Sequence, residues 1–213
     1  VETANFTWNV TFNGAYNKTK VLSLLTDEPG ESITVGTHMF NGELRHVVGE
    51  EIGQVAGFGY LRDEQGRIIY GTNGIALATP SMILFGSGLP DWVGGITNSF
   101  QFKGITASFL IDFKLGNTVL SGTNFNAYRH GLHKATLPGR ESGVVGEGVN
   151  EEGEVNTVVV FPVQPFYEVV RSKGLVEPVV YDGGYWKLRQ ITIGYDFTKF
   201  LPKNLPFRGV RLD

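Results

Sequence analysis

Asn5-Phe6-Thr7-Trp8-Asn9-Val10-Thr11-Phe12-Asn13 is the run on which the fold turns. Successive side chains of an extended chain point to opposite sides, so Phe6, Trp8, Val10 and Phe12 share one face while Asn5, Thr7, Asn9, Thr11 and Asn13 share the other. One face is greasy and the other is wet. Asn5, Asn9 and Asn17 each begin an Asn-X-Ser/Thr match. A polar face made of Asn and Thr creates such matches without any glycan, so the strand reading is preferred to glycosylation.

Further along, Ile96, Phe100 and Phe102 share a face before Lys103-Gly104, which reads as a tight turn. Ile105, Ala107, Phe109, Ile111 and Phe113 follow on one side, with Thr106, Ser108, Asp112 and Lys114 opposite and Leu110 as the single apolar exception on the wet side. Tyr185-Trp186-Lys187-Leu188-Arg189-Gln190 then leads into Ile191, Ile193, Tyr195 and Phe197, whose alternates are Thr192, Gly194, Asp196 and Thr198. A short connection, residues 199–206, returns the chain to a last strand-like run at 207–213. Two long stretches separate these strands. Residues 26–90 read as irregular, with a small hairpin in which 57–62 and 67–70 flank the polar turn Asp63-Glu64-Gln65-Gly66. Residues 117–182 read as loop-like and solvated, with the acidic group Glu147, Glu151, Glu152 and Glu154.

The order is therefore strand, long loop, strand, short turn, strand, long loop, strand, short turn, strand. Short turns and long loops fall on opposite sides, as they do in a membrane-spanning β-barrel. A soluble β-sandwich of the carbohydrate-binding kind is the alternative, with a second packed sheet under the greasy face in place of lipid. Composition agrees with an all-β chain: 29 of the 213 residues are Gly and 12% are aromatic. With 18 Lys and Arg against 21 Asp and Glu there is no basic stripe for nucleic acid. The absence of Cys removes thiolate zinc sites, iron–sulfur ligation and thiol nucleophiles. No apolar run reaches the ~20 residues of a spanning helix, a limit that says nothing against spanning strands. Neither an initiator Met nor a leader opens the chain, and both ends read as strand, so a piece of a longer protein is expected.

Gly86-Ser87-Gly88-Leu89-Pro90-Asp91-Trp92-Val93-Gly94-Gly95-Ile96-Thr97-Asn98-Ser99-Phe100 resembles the G-x-x-x-P-x-W/Y-x-G-G-x-x-N-x-F pattern of the SusC/RagA family of TonB-linked outer-membrane proteins. Tyr16 to Leu22, Val48-Gly49-Glu50, Gly57-Phe58-Gly59-Tyr60 and Asp182 to Tyr195 follow in that family's order. The resemblance implies an antiparallel transmembrane β-barrel, usually of 22 strands, in the bacterial outer membrane. Residues 1–213 would form a C-terminal part of it, without the plug, the earlier strands and the final strands. It implies import of glycan or peptide oligomers, driven through TonB, with a SusD-like surface lipoprotein as partner and outer-membrane lipid and lipopolysaccharide around the wall. The family's acid-rich D-x-N-x-D-G stretch is missing from residues 63–80, so no calcium is expected there.

No G-x-S-x-G elbow, phosphate-binding loop or dinucleotide fingerprint is present, and neither enzyme activity nor a cofactor is expected. His130 and His133 are the one close His pair, but i,i+3 spacing in a Gly-containing loop lacks a third ligand and a rigid support, so no metal is expected. Glu50-Glu51 and the 147–154 acidic group read as solvated carboxylates rather than acid/base pairs. Substrate selection in a barrel falls to loops and wall residues, and Trp92, Tyr128, Arg129 and Tyr185 are the candidate contacts. Each also fits a plainer role as an interface aromatic or a loop anchor.

Overall fold

The computed structural model describes residues 1–3, 5–26, 28–38, 41–202 and 210–212. In chain order the strands are β1 (Phe6–Tyr16), β2 (Ser32–His38), β3 (Gly42–Val47), β4 (Gln54–Gly57), β5 (Ile83–Ser87), β6 (Trp92–Phe102), β7 (Ile105–Leu115), β8 (Thr118–Leu120), β9 (Val144–Val145), β10 (Val159–Val160), β11 (Val180–Asp182), β12 (Tyr185–Asp196) and β13 (Arg211–Leu212). The helices are α1 (Gly122–Arg129), α2 (Gln164–Tyr167) and α3 (Val169–Ser172). Two compact units result. A sheet unit holds Val1–Asn17, Pro90–Gly116 and Gly183–Asp213, and an insertion unit holds Lys18–Leu89 and Asn117–Asp182.

The sheet unit is an antiparallel meander, β1-β6-β7-β12-β13. Its register makes the alternation read in the sequence continuous across strands. Phe12 faces Ile96, Ile96 faces Ile111 and Ile111 faces Leu188, while on the other face Thr11 meets Thr97 and Thr97 meets Leu110. Phe102 and Ile105 close the hairpin over Lys103 and Gly104, both at positive φ (48° and 92°), the conformation that a two-residue hairpin loop requires. A register shift between Leu188 and Gln190 accommodates Arg189 as an extra residue, so Leu188 and Ile191 stay on the same face although three residues apart.

The apolar face is left open. Phe12 is 62%, Ile191 63% and Ile193 70% exposed, and the sheet unit contains no second sheet among its described residues. The sandwich alternative needed such a layer. The aromatic side chains instead pack along the sheet, Phe6 and Trp8 against Phe100 and Phe100 against Phe109. Asn98 is the one amide on this face among the described residues, and its Oδ1 accepts the Trp8 indole N–H at 3.2 Å.

Paired glycines are covered by rings. Gly14 lies opposite Gly94; a Cβ on Gly14 would meet the Phe12 ring at 2.8 Å, and one on Gly94 would meet the Phe113 ring at 2.6 Å and also Asn13 O. On the other face Leu110 Cδ1 lies 3.3 Å from the place of a Gly95 Cβ, so the apolar exception covers bare backbone. Replacing Gly94 by Val is expected to displace the Phe12–Phe113 stack and destabilise the sheet by about 1–3 kcal/mol. A denaturant midpoint equal to that of the unaltered protein in lipid would refute this.

The long stretches differ from their sequence reading. Residues 26–90 are not irregular but hold a four-stranded antiparallel sheet, β2-β3-β4-β5. The expected hairpin is present, with Arg62 bridging Ile68 and Gly66 N–H donating to Asp63 O at 3.0 Å. It belongs to a closed ring of three backbone bonds, Leu61 N–H to Leu77 O, Leu77 N–H to Ile69 O and Ile69 N–H to Leu61 O. Residues 117–182 are folded rather than solvated: Tyr70, Ile75, Val160, Val169 and Leu175 form one buried cluster, and Phe125, Val170, Val176 and Val179 another. The acidic residues Glu147, Glu151, Glu152 and Glu154 are exposed, as expected. Phe197 is a second departure. β12 ends at Asp196, and Phe197 precedes a 3-10 turn, Thr198–Phe200, whose first N–H is capped by the Asp196 carboxylate. Of the final run, Arg211 and Leu212 pair with Asp196 and Tyr195; residues 203–209 and 213 lie outside the described residues.

Candidate functional site

The sheet unit gathers charge at the end where both long insertions leave it. Lys114 lies opposite Tyr185 and Asp112 opposite Lys187, all on the polar face. Because the bulge also turns Arg189 to this face, its Nε reaches Asp112 Oδ2 at 2.7 Å and its Nη2 the Tyr185 hydroxyl at 3.3 Å. Lys187 Nζ stands 4.1 Å from the Tyr185 ring centre and the Arg189 guanidinium 5.9 Å, so the ring serves as a cation platform. Three cations face one carboxylate. Among the described residues, neither Lys114 nor Lys187 is ion-paired.

Trp92 opens β6 on the other face, its ring 4.7 Å from that of Tyr16. Of the four candidates it is the one placed on the apolar face.

In the insertion unit, Tyr128 and Arg129 end α1. Ser121 caps that helix by accepting Asn124 N–H at 3.2 Å, and Phe125 anchors it in the core. Both residues line a cavity of about 440 Å³ with His130, Arg140, Gln164 and Tyr167 among its walls. Burial raises the pKa of the Tyr128 and Tyr167 hydroxyls above the ordinary value, which keeps both neutral. Arg140 donates to Thr136 O at 3.0 Å, to Thr136 Oγ1 and to Gly131 O, all neutral acceptors. The Arg129 Nε is buried without a hydrogen-bond partner. Glu168, the carboxylate on the wall, is engaged by Gln164 Nε2 at 2.9 Å.

Of the His pair, His133 is occupied otherwise: its ring stacks on Tyr128 at 4.3 Å and its Nδ1 accepts Ala135 N–H, while His130 lines the cavity. Among the described residues no three His, Asp or Glu side chains gather as metal ligands would. Glu51 pairs with Lys18 at 2.6 Å, and Asp63 holds Arg67 and closes its own turn. Arg140, Lys114, Lys187 and Arg189 were not singled out from sequence. Only the register of β7 against β12 brings the last three together.

No family model matches the sequence. The chain is 24% identical over 234 residues to TonB-dependent receptor P3 of Formosa agariphila, a match spanning 98% of this chain and 21% of that protein. The chain resembles a TonB-dependent receptor. Its fold is that of the RagAB peptide transporter, with a TM-score of 0.65 at 11% identity over 99% of this chain and 23% of that one. The RagAB peptide importer in its closed-closed and open-open states gives TM-scores of 0.55 and 0.56. The chain spans about a fifth of the curated relative and under a quarter of the solved ones. The five-stranded sheet therefore has the fold of a stretch of β-barrel wall. The relatives carry the names of receptors and transporters, not of enzymes.

Proposed function

We propose that this receptor wall belongs to a TonB-driven importer of nutrient oligomers, glycans or peptides, that works with a SusD-like surface lipoprotein. The observation that carries the reading is the two-faced sheet itself. Its apolar side chains form a continuous field, mostly exposed along β1 and β12 and half-buried against one another on β6 and β7, while its polar face bears hydroxyl, amide and charged groups, a division suited to lipid on one side and a wet lumen on the other. Two folded insertions leave from one end, and a two-residue turn closes the other. In this reading residues 1–213 form a C-terminal part of the barrel, Trp92 and Tyr16 belong to an aromatic girdle at the lipid boundary, and Tyr128, Arg129 and Tyr185 meet cargo.

The test is uptake by cells that make the whole protein. Labelled oligomers should accumulate when TonB is present and stop doing so when TonB is deleted, and a surface lipoprotein should co-purify with the barrel. Accumulation unaffected by loss of TonB would overturn the energy source, and no accumulation of any oligomer would overturn import.

A further inference from the structure

We infer that the cargo is a carboxylate-bearing oligosaccharide whose acid groups are recognised at two separate places, the Arg129 guanidinium with its unpartnered Nε in the cavity of the insertion unit and the Lys114–Lys187–Arg189 cluster on the polar face of the sheet unit. This deepens the import reading and rests on it.

Two observations, one in each unit, point the same way. Arg129 lines a 440 Å³ cavity, a volume within the range of small-ligand sites, and its Nε is buried with no acceptor. Its position in the last turn of α1 complements the helix dipole, which accounts for a cation there but leaves the buried donor unmet. Arg140 on the same wall donates to neutral oxygens, and the Glu168 carboxylate there is engaged by Gln164, so two guanidinium groups share the cavity with one carboxylate. A carboxylate offers a guanidinium two acceptors in the matching planar geometry. In the sheet unit, three cations stand against Asp112 alone around the Tyr185 ring, leaving a local excess of positive charge on the polar face. The acid-rich turn at Glu151–Glu154 is held separately, by Asn150 Oδ1 accepting the Glu152 and Glu154 amides.

Sugar hydroxyls suit the remainder of the polar face, which runs from the cations towards the Lys103–Gly104 turn. The rest of the polar face presents Thr7, Asn9, Thr97, Ser99, Thr106 and Ser108, groups that both donate and accept as sugar hydroxyls require. Tyr128 and Tyr167, both neutral, line the same cavity as Arg129, the Tyr167 hydroxyl donating to Pro138 O at 3.1 Å.

The experiment is calorimetric titration of the full-length receptor with oligomers of galacturonate, guluronate and glucuronate, with neutral oligomers of galactose and glucose, and with oligoglutamate. At least one uronate oligomer should bind about tenfold more tightly than every neutral one, the worth of one charge-assisted pair. Arg129→Gln and Lys187→Gln should each weaken that binding by roughly fivefold or more, and added salt should weaken it as well. Hydrogen exchange of the α1 amides, unchanged in Arg129→Gln, establishes that the helix still folds. Equal affinity for neutral sugars, or variants that bind as the unaltered receptor does, overturns the inference. Preference for oligoglutamate overturns the sugar class in favour of acidic peptides. TonB-dependent uptake of neutral oligomers alone would sink this inference and leave import standing, whereas tight uronate binding without any uptake would do the reverse.

Discussion

Arginine in place of Ile111 is expected to remove about 2–4 kcal/mol from the barrel, the depth-dependent penalty for a cation on a lipid-facing strand. Ile111 sits midway along β7, in a row with Phe12, Ile96 and Leu188 on the apolar face. A guanidinium there must shed water or drag it into hydrocarbon, and the neighbours offer it no acceptor. Thr97→Arg is the control, because Thr97 lies one step along β6 at nearly the same depth but on the polar face. The full-length protein carrying Ile111→Arg should be depleted from the outer-membrane fraction and unfold at lower denaturant in lipid, whereas Thr97→Arg should assemble normally. If both variants assembled alike, or if Thr97→Arg were the more damaging, the faces would be misassigned. A sandwich layer over Ile111 would also make arginine harmful, so the polar-face control is what gives the comparison its force.

The wall was legible from sequence because a spanning strand states its environment residue by residue. Phe6 to Phe12 and Ile105 to Phe113 alternate with one fault, and that fault, Leu110, turned out to cover the bare backbone of Gly95. The insertion unit was not legible, for two reasons. Its strands are short: Ile33 and Val35 in β2 give two apolar alternations before Gly36, too few to distinguish from chance. Its core is assembled from distant pieces, such as Tyr70 against Val160 and Leu175, and no local period announces contacts of that separation. The candidate contacts divide along the same line. Tyr185 and Arg129 could be named from residue type, but the cations that give Tyr185 its setting lie on two strands, with Arg189 turned inward only by a bulge. Trp92 fits the G-G motif, and its face follows from counting back from Ile96; its partner Tyr16 required the β1–β6 register.

Truncating Leu175 to Ala should destabilise the insertion unit by about 2–5 kcal/mol, the range for deleting a large aliphatic side chain from a closed core. Leu175 is 0% exposed and packs into the cluster of Tyr70, Ile75, Val160 and Val169, while its backbone bridges Phe58 and the next residue donates to Phe58 O. The side chain thus joins residues 58–76 to residues 160–175, segments that reach the unit from opposite sides of β6 and β7 in the sequence. Nothing else of comparable size is as fully enclosed there, so collapse around the void would be partial. Amide exchange reads the effect site by site. The Leu61, Ile69 and Val149 amides, bonded within this unit, should lose protection by roughly thirtyfold or more, while amides of β7 between β6 and β12 hold theirs. Uniform loss across both sets would mean that the units unfold together, and no loss in the first set would mean that residues 117–182 form the solvated loop their composition suggested. Since Tyr128 and Arg129 hang from a helix anchored in the neighbouring Phe125–Val170–Val176 cluster, Leu175→Ala should also weaken the carboxylate binding proposed for Arg129 without touching the cavity.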